Sequence, residues 1–186
     1  MPTLTTSNLP LRSGVYTVDQ QNSGVHFGVR RFGLTDLRGE FTRFDTSLFV
    51  GESLRDAAVR ATIDLASIHT NEPDRDALLH MTPRFDAETH PAMTFNSTSI
   101  HRTGADRYMM DGLVTISGVT KTVRLQVGFQ GTSAHHADDR IRVKFTAIGQ
   151  IRRSDFGIEL DVGLGAAKFV LSDAVRLAVD AQFLTP

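Results

Sequence analysis

The chain has 186 residues, 40% of them hydrophobic and 22% charged, with a formal charge of −1. That profile fits one globular domain and gives no global electrostatic pull toward nucleic acid or an anionic membrane surface. The absence of cysteine excludes disulfides, thiolate–metal sites and cysteine nucleophiles.

The opening, MPTLTTSNLPLRSG, has no basic segment followed by an apolar one, so it does not read as a secretory signal, and the expected location is the cytoplasm. No stretch approaches the ~18 consecutive apolar residues of an integral membrane segment. Residues 1–13 read as an N-terminal extension, and 14–186 as a single domain.

From there the dominant signal is period-two alternation, which marks strands with one apolar face. After a turn at Asn22-Ser23-Gly24, a short run spans Val25–Val29 and ends on Arg30 and Arg31. A turn near Ser53–Ala57 precedes Val59, Ala61, Ile63 and Leu65, which alternate with Arg60, Thr62 and Asp64. Further runs appear at Met93–Ser97 and Tyr108–Ile116. Val123, Leu125, Val127 and Phe129 follow, then Ile141, Val143 and Phe145, and finally Val175, Leu177, Val179, Ala181 and Phe183. Turn residues separate these runs at Thr103–Asp106, Ser117-Gly118 and His135–Asp139. With about eight strands and few helices to cover them, the economical arrangement is all-β, a closed antiparallel barrel, with a sandwich as the second choice.

One stretch interrupts the pattern. SIHTNEPDRDALLH, residues 67–80, concentrates two histidines, three acids and one arginine. Pro73 suits a first helical turn, and Asp74 and Asp76 suit the positive end of a helix dipole, so a short helix is expected over 72–81. As a metal centre, His69, His80 and His90 with Asp74, Asp76 and Asp86 match no compact ligand spacing; only Asp76 and His80 stand four residues apart on one helix. His135 and His136 fall in a polar loop. There is no glycine-rich phosphate loop, no nucleophile elbow and no HExxH. No metal and no cofactor is expected.

The chemistry that remains is that of an apolar interior. Phe27, Val29, Phe41, Ile63, Phe85, Phe95, Val127, Phe145 and Phe183 are core positions, and in a barrel the core and a ligand pocket are the same space. Arg30, Arg31 and Arg153 are candidates to clamp a carboxylate or phosphate head group at a barrel mouth. The bland alternative for each arginine is a surface charge or an internal ion pair.

Five segments then form a recognisable series in order: YTVDQQNSGVHFGVRRFGLTDLRGEFTRFD, IDLASIHTNEPDRDALL, RFDAETHPAMTFNSTSI, DGLVTISGVTKTVRLQV and IRRSDFGI. From about residue 14 to 184 the chain resembles the YceI-like, polyisoprenoid-binding family. The resemblance implies an extended, lipocalin-like barrel of about eight strands with one or two short helices. It also implies a long-chain hydrophobic partner (a polyisoprenoid, an isoprenoid quinone precursor or a fatty-acyl chain) and a homodimer, as in several members. Two positions depart from the family pattern: Arg31 and Leu78 stand where histidines are common.

Three functions are compatible with this reading. The first is a non-enzymatic carrier that holds an apolar chain. The second is an isomerase or cyclase using the same cavity, with Asp64 or Asp76 as acid or base. The third is a packed stress-response barrel that binds nothing small.

Overall fold

A computed structural model describes residues 11–31, 35–80, 89–158, 163–164, 167–168 and 171–186. Thirteen strands run along the described chain. They are β1 (Gly14–Val18), β2 (Gly24–Arg31), β3 (Thr35–Phe41), β4 (Phe44–Val50), β5 (Ala58–Asp64), β6 (Ile68–His69), β7 (Ala92–Arg102), β8 (Arg107–Ile116), β9 (Val119–Ala134), β10 (Ile141–Arg152), β11 (Gly163–Leu164), β12 (Ala167–Lys168) and β13 (Leu171–Leu184). The helix α1 spans Pro73–His80.

Hydrogen bonding links β1, β4, β5, β7, β8, β9, β10 and β13 in that order, and β1 returns to β13, closing an eight-stranded antiparallel barrel. On the remaining length of β13 the sheet continues through β2, β3 and β6. Closure removes the exposed edge that an open sheet would present. A sandwich is therefore not what forms.

Closure depends on how one edge of β13 changes partners. Leu171–Asp180 pair with β2, and Phe183 and Leu184 pair with β1. Gln182 lies at the hand-over. Its carbonyl accepts from the Asp19 N–H (2.7 Å), and its N–H donates to Ser23 Oγ (2.9 Å). The Ser23 hydroxyl stands in for a strand partner that the chain does not supply there, because a buried backbone donor must be paired.

Asp19 anchors this crossing further. Arg142 Nη2 lies 2.8 Å from its carboxylate and Asn22 Nδ2 donates at 2.9 Å. Burial pushes the Asp19 carboxyl up, but the Asn22 and Arg142 hydrogen bonds outweigh that and hold it below the usual carboxylate range.

Strand register sorts the side chains. The inward set divides into two packed groups. The larger holds Leu65, Phe95, Met110, Ile116, Val123 and Phe156 with their neighbours. The smaller holds Tyr16, Leu48, Val50, Val143 and Phe183. Bulges at Thr98 in β7 and Gln130 in β9 bend the strands between these groups, and Gly131 adopts φ +100°, the left-handed side that glycine tolerates.

The expected strands are present, most of them longer than their apolar runs; β5 instead ends at Asp64, and Leu65, expected on the same strand, opens a 3₁₀ turn at Leu65–Ser67. The alternation does not call β1, β3 or β4. In β3 the inward position between Leu37 and Phe41 is Gly39, and the Phe27 ring lies over it so closely that a Cβ there would sit 2.3 Å from Phe27 Cζ. In β4, Phe49 faces outward and stays 46% exposed, which blurs the pattern set by Phe44, Leu48 and Val50.

The acidic stretch is a structural fastening. Asp76 accepts from the Thr70 N–H (2.9 Å) and Thr70 Oγ1 (2.6 Å), and its other oxygen lies 3.2 Å from His69 Nδ1. Arg75 pairs with Glu72 at 2.9 Å. The helix covers Pro73–His80; Met81, Pro83 and Asp86 lie outside the described residues. The expected turn near Ser53–Ala57 is a 3₁₀ turn at Leu54–Asp56, where Ser53 N and Oγ both donate to Asp56.

Three outcomes follow for denaturation experiments. Leu65→Ala, at a residue 1% exposed in the larger group, lowers stability by about 2–5 kcal/mol, whereas Leu113→Ala on the outer face changes it by less than ~0.5 kcal/mol. Ser23→Ala strands the Gln182 N–H and costs about 1–3 kcal/mol, read from the urea midpoint. Asp19→Asn destabilises at neutral pH, and its deficit shrinks as pH falls. A carboxylate with a lowered folded pKa contributes fully above its unfolded value near ~4 and loses that contribution as pH drops through the folded value.

Candidate functional site

Between the two packed groups the barrel is hollow. A cavity of about 170 Å³ lies there, lined by β2, β4, β5, β7, β8, β9, β10 and β13. Val25, Val59, Ala61, Val127, Ala147 and Val179 all line it and remain partly accessible, because they border empty space rather than one another. Small side chains on neighbouring strands leave this gap. Along one tier the paired positions are Tyr108, Val127, Ala147, Val179 and Val25, only one of them large.

A void of this size has an energetic consequence. At about 24 cal/mol per Å³ of unfilled volume, 170 Å³ corresponds to roughly 4 kcal/mol of packing not realised. Total stabilities are about 5–15 kcal/mol, so the cost is a large share. The reading of a fully packed barrel does not describe this interior.

Its surface is nearly all hydrocarbon. Ser23, Thr46 and Tyr108 border it through their carbon atoms and present no polar atom to the space. Ser23 Oγ is committed to Gln182 and to the Asp19 carbonyl (2.7 Å), and Thr46 Oγ1 donates to the Arg60 carbonyl at 2.8 Å. Asp180 also borders the cavity, from a strand position that alternates with the inward residues Val179 and Ala181. Such a lining suits apolar matter, and the described residues that form it present no general acid, base or nucleophile to the space.

The candidate residues divide. Ile63, Phe95, Val127, Phe145 and Phe183 line the cavity. Phe27, Val29 and Phe41 face inward too but do not line it. Phe27 and Phe41 stack against each other with ring centroids 5.4 Å apart, and Val29 is buried opposite Val175. Phe85 lies outside the described residues, as does the side chain of Arg31, whose backbone pairs with Leu171 and Thr35.

Neither Arg30 nor Arg153 lines the cavity. Arg30 alternates with inward Val29, so it points outward; it is 61% exposed and 3.9 Å from Asp36. Arg153 is a loop fastener: its guanidinium donates to the carbonyls of Ser172 (3.1 Å), Leu171 (3.1 Å) and Ile158 (3.2 Å). Neither an ion pair nor a free head-group clamp describes it.

Asp64 and Asp76, the acids of the enzymatic reading, are both engaged away from the cavity. Asp64 binds Arg43 and the Ala66 N–H, and Asp76 holds Thr70. Among the described residues no cluster of three histidine, aspartate or glutamate side chains is arranged to hold a metal. His135 Nδ1 instead lies 2.8 Å from Asp138, beside Arg140, in the β9–β10 turn. The hydrogen bond from His135, with those from Arg140, lowers the Asp138 carboxyl to about 2.

Residues that the aromatic-led choice overlooks form most of the wall: Val25, Ala61, Met93, Met110, Ala147 and Leu177. Their signal was present as strand parity. Aromatic size was the wrong selector, because small side chains create the space.

Comparison with known proteins agrees with this architecture. The family model described as the YceI-like domain matches residues 16–183. Protein YceI of Escherichia coli O157:H7 is 33% identical over 152 residues, covering 80% of this chain and 78% of its own. A UPF0312 protein of Pectobacterium carotovorum is 33% identical over 160 residues, covering 84% and 81%. Among solved structures, Burkholderia cenocepacia BcnA superposes with a TM-score of 0.74 at 23% identity, over 91% of this chain and 99% of its own. A polyisoprenoid-binding domain from Saccharophagus degradans, implicated in plant cell wall breakdown, gives 0.70 at 16% identity over 92% and 98%. No helix among the described residues is long and apolar enough to cross a membrane. A matching family model over nearly the whole barrel, with relatives a third identical along most of their length, makes this chain a member of the YceI-like family.

Proposed function

We propose that the protein is a non-catalytic carrier that holds the chain of a long apolar molecule, of polyisoprenoid or fatty-acyl type, inside the barrel. The observation that carries this reading is the hollow, hydrocarbon-lined interior at a cost of roughly 4 kcal/mol. The fold it shares with a polyisoprenoid-binding domain supports the same class of ligand. Each CH₂ group removed from water contributes about 0.8 kcal/mol, so a long chain binds without any charged contact.

The free space sets how it binds. About 170 Å³ is on the scale of the ~150 Å³ cavity that holds one benzene, and is less than the ~300 Å³ of the smallest drug-sized pockets. A long chain therefore enters by moving side chains aside. Met93 and Met110 are suited to this, being unbranched and adaptable, and both line the cavity. Head-group recognition by Arg30 or Arg153 is not part of the proposal, since one faces outward and the other is committed to three carbonyls.

Native mass spectrometry of gently purified protein is expected to show a bound lipid. Ala147→Phe fills the space in front of the tier it belongs to. It lowers uptake of a long-chain probe at least about tenfold, a loss of ~1.4 kcal/mol in binding, while leaving the barrel folded by circular dichroism. Protein that is consistently empty and also refuses long-chain probes would refute the carrier reading.

A further inference from the structure

Gly149 holds an inward position in the middle of β10, between Ala147 and Ile151, both of which line the cavity. Its backbone gives no reason for a glycine. Unlike Gly131 it has no positive φ, and glycine inside a strand weakens pairing and packing. Such a glycine often marks a close approach instead. Here a Cβ would sit 2.4 Å from Cδ2 of Leu125, its partner on β9. Leu125 lies folded into the space that the missing side chain leaves.

This contact stands part-way along the cavity. On one side is the small-residue tier of Val127, Ala147, Val179 and Val25. On the other, Val123 and Ile151 line the same space. The lining thus runs along β10 from Phe145 to Ile151, about 20 Å at the rise of a strand. About 170 Å³ drawn out over that length is a slender space. Between its two stretches stand Met110, Leu125 and Leu177, large residues in one paired tier with Gly149. Phe95 repeats the device from β7: its ring covers Gly112, the partner of Val123, where a Cβ would meet it at 2.3 Å.

We infer that Gly149 is a specificity-determining position: by seating Leu125 against the wall it keeps the cavity open through this tier, and so sets the length of chain the barrel takes. This rests on the carrier reading and deepens it. A methyl group at position 149 turns Leu125 toward the barrel axis and divides the space at that height. A short chain then still fits within one part, and a long chain does not. The atom that must move is the end of a flexible side chain, while the nearest backbone atom, the Arg124 carbonyl oxygen, stays 3.0 Å from the added carbon. At Gly112 the Asn96 carbonyl oxygen would be only 2.8 Å away, so Gly149 is the position to change.

The test loads the protein with octane or hexadecane from cyclodextrin and measures by gas chromatography what is retained after gel filtration. Each buried CH₂ raises affinity about fourfold, so the groups beyond the tier carry much of the binding of a long chain. In Gly149→Ala the ratio of hexadecane to octane retained falls at least about tenfold from the wild-type value. The double variant Gly149→Ala/Leu125→Ala, which removes the clash, returns the ratio to within about threefold of wild type. Leu125→Ala leaves the glycine in place and gives an answer even where Gly149→Ala does not fold. It widens the tier, and uptake of phytane, a methyl-branched counterpart of hexadecane, rises roughly fivefold or more relative to hexadecane.

An unchanged hexadecane ratio in folded Gly149→Ala, a loss that persists in the double variant, or an unchanged phytane ratio in Leu125→Ala overturns this inference and leaves the carrier reading intact. If wild type retains neither octane nor hexadecane, the carrier reading itself fails and the role of Gly149 falls with it.

Discussion

One strand edge with two successive partners governs this barrel. The free edge of β13 must serve β2 along most of its length and β1 at its end, and the chain changes over at Gln182. A backbone crossing of that kind would leave an amide unpaired. The Ser23 hydroxyl takes it, while Asp19 fixes the turn through its own N–H and through Arg142. With this fastening the ring closes, and closure is what turns eight apolar strand faces into an enclosed interior. Without it the same faces would form an open sheet with little helix to cover it.

Enclosure alone does not make a site. A barrel interior is filled or hollow according to how residue sizes fall on each tier. Here the large side chains settle over glycines at Gly39, Gly112 and Gly149, where the rings of Phe27 and Phe95 and the side chain of Leu125 lie against bare backbone. That arrangement holds bulk flat against the wall. Where Val25, Val127, Ala147 and Val179 meet on neighbouring strands, nothing reaches across, and the void follows. The protein forgoes packing energy at one height of the barrel and recovers order above and below it in the two packed groups.

Charged groups act at the periphery. Arg153, Asp76, Asp19 and Asp173 each fasten a turn or crossing. At Asp173 the Ser154 hydroxyl and N–H bind the carboxylate and lower its pKa. Such residues hold a fixed place in the fold because they satisfy specific backbone groups, and they catch the eye in the sequence for the same reason. Their density in SIHTNEPDRDALLH marks where a helix is bound to the barrel rim, through Asp76 and Thr70.

The sequence by itself determined the class of fold, most of the strands and the identity of the inward face, because alternation has a period of two and a closed sheet has only two sides. It also carried the helix start at Pro73 and the turns at Asn22–Gly24 and Ser117–Gly118. It could not rank the inward residues. Whether Phe27 fills space or covers Gly39, and whether Arg153 meets a ligand or three carbonyls, depends on which strands become neighbours and in what register. Those pairings join residues more than a hundred positions apart, as Val25 joins Val179. The cavity and its small-residue tier were therefore decided only by the tertiary structure, since a gap is a property of facing side chains and no local pattern records what lies opposite.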